Sequence, residues 1–363
     1  MRYRIEPRRA TPASLFYLTP VLAVGVTVAL GALLFGLLGY APGATLYHFF
    51  VSPITTVNGL AELALKATPL VMIAVGLAAG FRAGVWNIGA EGQLTMGAIA
   101  GGVVALRLVD VDAPWVLPLM ALAGILGGMA WGAVPAVLKT RFGVSEILVS
   151  LMLTYVAVLL LGLLVHGPLK DPTGYGFPQS AMFGASANLP LLVEGTRLNA
   201  GAIVGLLVVL AAWLVMARTI VGFQIRVVGE APAAARYAGF SGNRVVWLTL
   251  MASAGLAGLA GVFEVAGPIG QLVPSVSPGY GFTAIIVAFL GRLHPVGIGF
   301  AGLLVALSYI GGENAQVAVN LPRAATGVFQ GLLLFVLLAS DFILRYRVRR
   351  VPPAGAPVSG ALR

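Results

Sequence analysis

The sequence contains no cysteine and few charged residues, because only 9% of its 363 residues are Asp, Glu, Lys or Arg. The absence of cysteine excludes disulfides, thiolate metal sites and iron–sulfur clusters. A soluble domain carries about 25% charged residues, whereas 59% of this chain is hydrophobic and its mean hydropathy is +0.97. This composition indicates an integral membrane protein.

Catalytic and nucleotide-binding motifs are missing as well. No GxxxxGKS or GxxxxGKT sequence occurs, so the chain lacks the loop that binds ATP phosphates. The three histidines, His48, His166 and His294, are too scattered to predict a metal set. No Ser/His/Asp arrangement is recognisable. We therefore expect a chain that is not an enzyme and that holds no metal or cofactor of its own.

The net charge of +10 does not predict a nucleic-acid partner. The basic residues lie in short stretches between apolar runs, where they set membrane orientation. Arg2, Arg4, Arg8 and Arg9 precede the first apolar run without a small-residue cleavage site. That run is also too long for the core of a signal peptide, so we expect it to remain as a membrane anchor.

Apolar runs recur from Leu15 to Leu344, and a bilayer core takes roughly 20 apolar residues as a helix. The sequence therefore predicts an all-α membrane protein with about ten transmembrane helices, some of them interrupted. Basic residues then concentrate in every second loop, which predicts that both termini are cytoplasmic. The predicted spans are 15–40, 61–80, 87–108, 114–138, 144–165, 199–217, 245–266, 282–292, 296–312 and 324–344.

These spans divide the chain into a cytoplasmic N-terminal segment (1–14), one transmembrane domain (15–344) and a basic cytoplasmic tail (345–363). The predicted external loop, 166–198, is rich in Pro, Gly and Ser. It is either a docking surface or a solvated connector. The predicted cytoplasmic loop, 218–244, is the other long connection.

The cytoplasmic loop contains the segment GEAPAAARYAGFSG, from Gly229 to Gly242. Pro232 stands near the start of an Ala-rich stretch and Gly239 stands at its end. Pro in the first turn and Gly past the last turn predict a short helix. A short helix that joins two spans suggests a lever moved by a partner.

The segment GVWNIGAEGQLTMG, from Gly84 to Gly97, places Asn87, Glu91 and Gln93 within an apolar region. An unpaired polar group in hydrocarbon costs several kcal/mol. One interpretation is a structural carboxylate at Glu91, paired with a neighbouring helix through Arg82. We favour the other interpretation, in which the backbone is interrupted and lines a path for a polar solute.

Two further acidic residues lie in or beside predicted spans. Glu146 follows Lys139 and Arg141 at the start of a span, which favours a structural carboxylate stabilised by the helix dipole and by these cations. Glu264 lies near the outer end of another span. It is either a residue of the cavity or one at the membrane interface.

Several motifs resemble one transporter family. The sequence NIGAEGQ (87–93) resembles the signature of permease subunits of ABC importers in the ribose/branched-chain amino acid superfamily, and most closely its nucleoside or simple-sugar branch. GEAPAAARYAGF (229–240), AFLGRLHPVG (288–297) and GGENAQ (311–316) with the later QGLLLF follow in the family's order. The resemblance covers roughly Leu15 to Arg347.

This resemblance implies a multi-pass protein of the bacterial inner membrane that forms one half of an importer. A second permease subunit, non-identical or identical, would complete the pathway. Two ATPase subunits would bind ATP and Mg, and an extracytoplasmic solute-binding protein would deliver the solute. The residues implied to contact the ATPase are Gly229, Glu230, Arg236, Tyr237 and Gly239.

The resemblance also implies import of nucleosides, with simple sugars next. Such solutes are neutral and rich in hydroxyl groups, and they need polar partners with a few aromatic walls. Two positions depart from the family, because Thr154 and Ala231 stand where Asn is common. The residues predicted to line the pathway are Trp86, Asn87, Glu91, Gln93, Thr154 and Glu264.

An alternative that needs no partner also remains open. Glu91, Glu146 and Glu264 could serve as proton or cation relays in an ion-driven secondary transporter or channel. A cytoplasmic lever is not needed in such a carrier, which favours the importer.

Overall fold

The centre of the fold is a group of helices that touch through glycine. It comprises α4 (Ala90–Arg107), α5 (Val116–Phe142) and α10 (Gly242–Glu264) of the computed structural model, which describes residues 2–7 and 13–351. A Cβ on Gly97 would lie 2.2 Å from Gly258 Cα, and one on Gly261 would lie 2.1 Å from Leu94 O. Small residues allow backbones this close, and interhelical packing in lipid depends on such contact.

Two helices are enclosed by the others. Within an apolar stretch of 18 residues in α3 (Val57–Arg82), 72% of the residues are buried, and the share is the same in the segment Gly242–Ile269. The corresponding share is 22% in α6 (Glu146–His166) and in α7 (Gly201–Arg218). Both α6 and α7 therefore lie at the periphery, where apolar side chains suit contact with lipid.

Each predicted span overlaps a helix. The remaining long helices are α1 (Ala13–Leu37), α12 (Pro295–Val319) and α13 (Arg323–Arg345). Within the described residues, the helices long and apolar enough to cross a membrane are Val57–Arg82, Val116–Phe142, Glu146–His166, Gly201–Arg218, Gly242–Ile269 and Pro295–Val319. The prediction of a helical membrane protein is confirmed.

The predicted spans 87–108 and 282–292 each correspond to a helix that follows irregular backbone. Residues 85–89 are not helical and helix α4 begins at Ala90. The span predicted at 87–108 therefore starts too early. Helix α11 (Tyr280–Leu290) has 11 residues and follows an irregular segment, 270–279. Gly279 (φ +99°), just before α11, adopts a conformation that favours glycine.

Backbone contacts divide the chain into residues 49–311 and a second unit of residues 1–48 and 312–363. In the second unit, α1 packs on α13, where the Phe329 ring lies 5.1 Å from that of Phe35. Strand β1 (Arg2–Pro7) pairs antiparallel with β2 (Tyr346–Val351). The ends of the predicted terminal segments, residues 1, 8–12 and 352–363, lie outside the described residues.

The segment predicted as external loop 166–198 is packed against its neighbours. The Ser180 amide donates to Leu272 O (2.9 Å), and the Leu189 amide donates to Ala266 O (2.8 Å). Ser186 Oγ donates to Val111 O (2.6 Å). These bonds place the segment over the residues that follow α10 and over the turn that follows α4, which disfavours the solvated-connector interpretation.

The helix predicted from Pro232 to the residues before Gly239 is present as α9 (Pro232–Tyr237). Two short helices were not predicted: α2 (Pro42–Phe50) and α8 (Ile220–Glu230). Thr219 caps α8, because its hydroxyl accepts from the Gly222 amide (3.3 Å).

The glycine contacts predict that Gly258→Ala destabilises the protein, because its Cβ would lie 2.2 Å from Gly124 O. Overpacking of this kind costs about 1–3 kcal/mol. We expect a lower melting temperature for the detergent-purified chain. Gly162→Ala on α6 is the matched control, since a Cβ there meets no atom within 4 Å. Equal melting temperatures for wild type and Gly258→Ala would contradict the packing.

Candidate functional site

Residues 83–89, here called the entry loop, connect α3 to α4 and turn into the bundle after Gly84, whose φ is +72°. The Asn87 amide Nδ2 donates to Gln93 Oε1 (2.8 Å) and to Ser253 Oγ (3.0 Å). Gln93 Nε2 donates in return to Asn87 Oδ1 (3.1 Å). The structure thus brings these two predicted residues together as a buried pair, near the middle of α10.

A second set of bonds holds the entry loop to α6. The Trp86 amide donates to Glu146 Oε1 (3.1 Å), and the Ile88 amide donates to Ser150 Oγ (3.2 Å). Glu146 also forms an ion pair with Lys139, the last-turn lysine of α5. Glu146 therefore has the structural environment predicted for it, and it fixes one end of the entry loop.

Glu91 joins two helix N-termini. It lies in the first turn of α4, is 6% exposed, and its Oε2 accepts from the Gly281 amide in the first turn of α11 (2.6 Å). A Cβ on Gly281 would lie 2.2 Å from Glu91 N, so the two helix ends are in contact. Helix N-termini carry partial positive charge, which a carboxylate stabilises. Glu91 thus has a backbone partner on α11, whereas the structural interpretation of this carboxylate names Arg82 as its partner.

The irregular segment 270–279 packs on the bundle through Leu272 and Val276, which are buried, whereas Ser275 and Pro278 are exposed. The Leu272 side chain packs against Gly102 of α4, because a Cβ on Gly102 would lie 2.8 Å from it. The Ser277 hydroxyl accepts from the Gly279 amide (3.1 Å) and from the Tyr280 amide (2.9 Å), and so caps α11. Non-helical backbone at membrane depth is tolerated where protein surrounds it or where it lines a cavity.

Two hydroxyl-bearing residues near Glu91 were not predicted from the sequence. Thr283 Oγ1 and Tyr309 Oη are 2.9 Å apart and share a hydrogen bond between α11 and α12. Both side chains are half-buried, and Tyr309 lies close enough to Glu91 to interact with its charge. The shortness of the predicted span 282–292 is the sequence signal that could have drawn attention to this region.

An aromatic group lies beside the entry loop. The Phe81 and Phe289 rings stack with centroids 5.1 Å apart, and Trp86 lies 5.8 Å from Phe289 with an interplanar angle of 25°. Trp86 is 39% exposed, so part of this side chain remains accessible beside the two Phe rings. An accessible aromatic ring can stack against a flat ring or against the apolar side of a sugar.

The hydroxyl of Thr154 is bonded within its own helix. Its Oγ1 donates to Ser150 O within α6 (3.2 Å), and its side chain is 3% exposed. A Cβ on Gly92 would lie 2.7 Å from Thr154 Cα. Thr154 therefore packs α6 against the first turn of α4.

Glu264 lies apart from the entry loop. It is at the end of α10, about 16 Å along the helix axis from Ser253. Its charge interacts with Lys66 and Arg197, and Arg197 also pairs with Glu62 (2.7 Å). Among the residues that the structure describes, no group of three His, Cys, Asp or Glu is placed to hold a metal ion.

The predicted coupling residues divide into two kinds. A Cβ on Gly229 would lie 1.9 Å from Arg82 O, so α8 rests directly on the last residue of α3. Gly239 has φ +81° and ends α9, where the Phe240 amide donates to Ala235 O (2.9 Å). Both glycines therefore shape the backbone.

The other coupling residues are polar or aromatic and exposed. Tyr237 is 98% exposed, and Arg236 and Glu230 are also exposed. Ala235 between them is buried, so α9 is anchored on one face and open on the other. The charge of Glu230 interacts with Arg82.

An apolar cluster connects α8 to the entry loop. It includes Ile225 of α8 and Val85 of the entry loop, with residues of α5, α7 and α10. Close-packed interiors transmit displacement because they contain few voids. The members of the cluster are Ala83, Val85, Ala136, Met216, Ile225, Val245, Val246 and Leu250.

Comparisons with known proteins agree with this architecture. The chain is 39% identical over 355 residues to a glucose ABC transporter permease protein of Haloferax volcanii, covering 95% of this chain and 93% of the relative. It is 29% identical to a guanosine ABC transporter permease protein of Bacillus subtilis, covering 93% and 97%. It is 30% identical to a nucleoside ABC transporter permease protein of Lactococcus lactis, covering 90% and 92%.

The match to the family extends over most of the chain. Residues 59–338 match the family described as branched-chain amino acid transport system, permease component. That range contains the entry loop, α11 and the coupling helices α8 and α9. Family membership favours a permease subunit over the ion-driven alternative. The chain belongs to this family of ABC transporter permease subunits, which are multi-pass membrane proteins and transport components of larger assemblies.

Proposed function

We propose that this permease subunit imports a nucleoside or a simple sugar by alternating access, with movement driven by ATP hydrolysis in partner chains. The observation that carries the proposal is the direct contact between α8 and Arg82. Through it, a displacement of the exposed helix α9 reaches the entry loop and the buried residues beyond it.

The proposed movement starts at the exposed face of α9. Arg236 and Tyr237 project from it and are available to a partner. A guanidinium and a tyrosine ring are typical anchors of protein interfaces. We assign both to contact with an ATPase subunit, while Glu230 positions α8 through its interaction with Arg82.

The proposed movement reaches the residues around Glu91. The entry loop reaches α10 through Asn87 and reaches α11 through Glu91. A shift of the loop at Ala83 therefore moves the N-termini of α4 and α11 together. Interrupted helices that meet inside a bundle are where transporters bind solute, so we place the solute next to this junction.

The chemistry of the junction fits a neutral solute rich in hydroxyl groups. Ser277, Thr283 and Tyr309 supply half-buried hydroxyls, which both donate and accept. The partly exposed ring of Trp86 suits stacking of a nucleobase. We therefore propose nucleosides first; simple sugars are the second candidate, because the glucose permease relative is 39% identical. An amino acid would require separate partners for both of its charges.

We also propose the ten-span topology with both termini in the cytoplasm of a bacterial cell and the chain in its inner membrane. Antiparallel pairing of β1 with β2 supports an even number of crossings, because the two strands must lie on the same side. The proposed domains are those predicted: segment 1–14, membrane domain 15–344 and tail 345–363. The loop 218–244 then faces the ATPases, and 166–198 faces outward.

The complete importer would contain further chains. We propose a second permease subunit, identical or non-identical, two ATPase subunits and an extracytoplasmic solute-binding protein. ATP and Mg would be bound by the ATPases, and this chain would need no cofactor. The packed loop 166–198 offers an outward surface for the solute-binding protein.

The proposed function predicts ATP-dependent uptake by the assembled importer. The chain would be co-expressed with the ATPase, permease and solute-binding genes beside its own and reconstituted in liposomes. We expect labelled guanosine, or glucose if sugars are the solute, to accumulate only when the ATPases have ATP. Labelled leucine should not accumulate.

Controls for this experiment separate the possible mechanisms. A Walker-A lysine variant of the ATPase subunits should abolish uptake without changing assembly. Uphill uptake by this chain alone would reject the importer assignment. Accumulation of leucine, with neither guanosine nor glucose transported, would reject the solute class while leaving the ATP-driven mechanism intact.

The coupling assignment predicts that the double variant Arg236→Ala, Tyr237→Ala uncouples ATP hydrolysis from uptake. Loss of two interface anchors costs about 2–4 kcal/mol, so we expect at least a tenfold loss of solute-stimulated ATPase activity and of uptake. Arg141→Ala, at an exposed arginine after the last lysine of α5, is the control. Unchanged transport in the double variant would reject α9 as the coupling helix.

The geometry of Glu91 predicts different results for two substitutions. Glu91→Gln keeps an oxygen that can accept from the Gly281 amide, whereas Glu91→Ala leaves that buried amide without its acceptor at a cost of about 1–3 kcal/mol. We expect Ala to reduce uptake severely and Gln to retain much of it, with both complexes assembled on size-exclusion chromatography. Equal loss in both variants would show that the charge of Glu91 is required.

A further inference from the structure

A pocket of ≈ 120 Å³ lies where α3 ends and contains three groups that are or can be cationic. Arg82 comes from α3, Arg226 from α8, and His294 from the turn before α12. Trp213 and Met216 of α7 form its apolar wall. These residues come from four separate parts of the chain, so no local sequence motif marks the pocket.

The two arginines of this pocket are close enough for their charges to repel. Arg226 Nε donates to Gly222 O within α8 (3.3 Å). Within the described part of the chain, neither guanidinium is engaged in an ion pair, and Glu230 is the acidic group whose charge interacts with Arg82. Two cations with one acidic neighbour leave a net positive site, which favours an anion.

An apolar groove of ≈ 240 Å³ adjoins the basic pocket and shares Arg82, Met216 and Pro295 with it. It runs along α3, α7 and α10, from Arg82 towards Val75 and Leu256. Among its residues, Val215 is 39% and Leu248 is 44% exposed. The groove therefore opens to the outside of the bundle, where lipid chains lie.

We propose that this site binds an anionic phospholipid, with the lipid phosphate between Arg82 and Arg226 and one acyl chain in the adjoining groove. Basic pockets between transmembrane helices bind anionic headgroups, and each arginine near the surface strengthens this attraction. Free phosphate would leave the groove unused. A zwitterionic headgroup would bring a positive charge of its own to a pocket that already carries two.

The position of the site gives the lipid a means to affect transport. Arg82 directly precedes the entry loop, and its backbone supports Gly229 of α8. A phosphate between Arg82 and Arg226 removes their repulsion and so stabilises α8 against α3. This inference does not depend on the identity of the transported solute or on the ATPases.

The test uses the delipidated full-length chain in detergent and native mass spectrometry with phosphatidylglycerol or phosphatidylcholine. We expect phosphatidylglycerol to bind more tightly, with about fivefold weaker binding in Arg82→Gln and in Arg226→Gln. Arg244→Gln, at an exposed arginine of the first turn of α10, is the charge-matched control and should bind as wild type. Ala212→Leu narrows the groove and should weaken binding without removing charge.

Three results would overturn the proposal. The first is equal binding of phosphatidylglycerol and phosphatidylcholine. The second is protection from thermal unfolding by inorganic phosphate that equals protection by the lipid, which would identify a phosphate site. The third is a loss of lipid binding in Arg244→Gln as large as that in Arg226→Gln, which would indicate attraction by overall charge. Arg226→Gln keeps the test decisive if Arg82→Gln fails to fold.

Discussion

The hydrogen bond from the Gly281 amide to Glu91 holds together two helices that both begin inside the bundle. The amides of a first helical turn have no partner within their own helix, and a buried amide without an acceptor is costly. The carboxyl group of Glu91, in the first turn of α4, accepts from the first turn of α11, and the missing side chain of Gly281 allows the contact. The irregular segments before α4 and α11 can enter the bundle because this junction fixes where they finish.

Glycine contacts provide the frame for the junction. Helices in lipid gain little from hydrophobic association, so their backbones must approach closely to gain from packing. Gly97, Gly258 and Gly261 bring α4 and α10 into backbone contact. The same close approach of α4 and α10 allows Asn87 to donate to Ser253 at the middle of α10 and to Gln93 on α4. Polar groups that are costly when isolated in lipid are thereby satisfied.

The same frame connects the junction to the surface. Helix α8 rests on the final residue of α3, and the entry loop begins with the next residue. Tight packing around Val85 leaves α8 little freedom to move independently of the loop. The basic pocket and its apolar groove lie beside this contact. A partner at α9 and a lipid at Arg82 would therefore act on the same packed segments, which are α8 and the entry loop.

The sequence alone determined the class of protein, the approximate positions of its long helices, the polar segment at 87–93 and the short helix between Pro232 and Gly239. Hydropathy, helix length and the Pro and Gly signals depend on neighbouring residues, so they can be read locally. Only the tertiary structure decided the partners. It paired Asn87 with Gln93, placed Glu91 against Gly281, and revealed the shared hydrogen bond of Thr283 and Tyr309. Glu91 and Gly281 are 190 residues apart in the chain, and Thr283 and Tyr309 lie on different helices, so helix packing selects which of these groups meet.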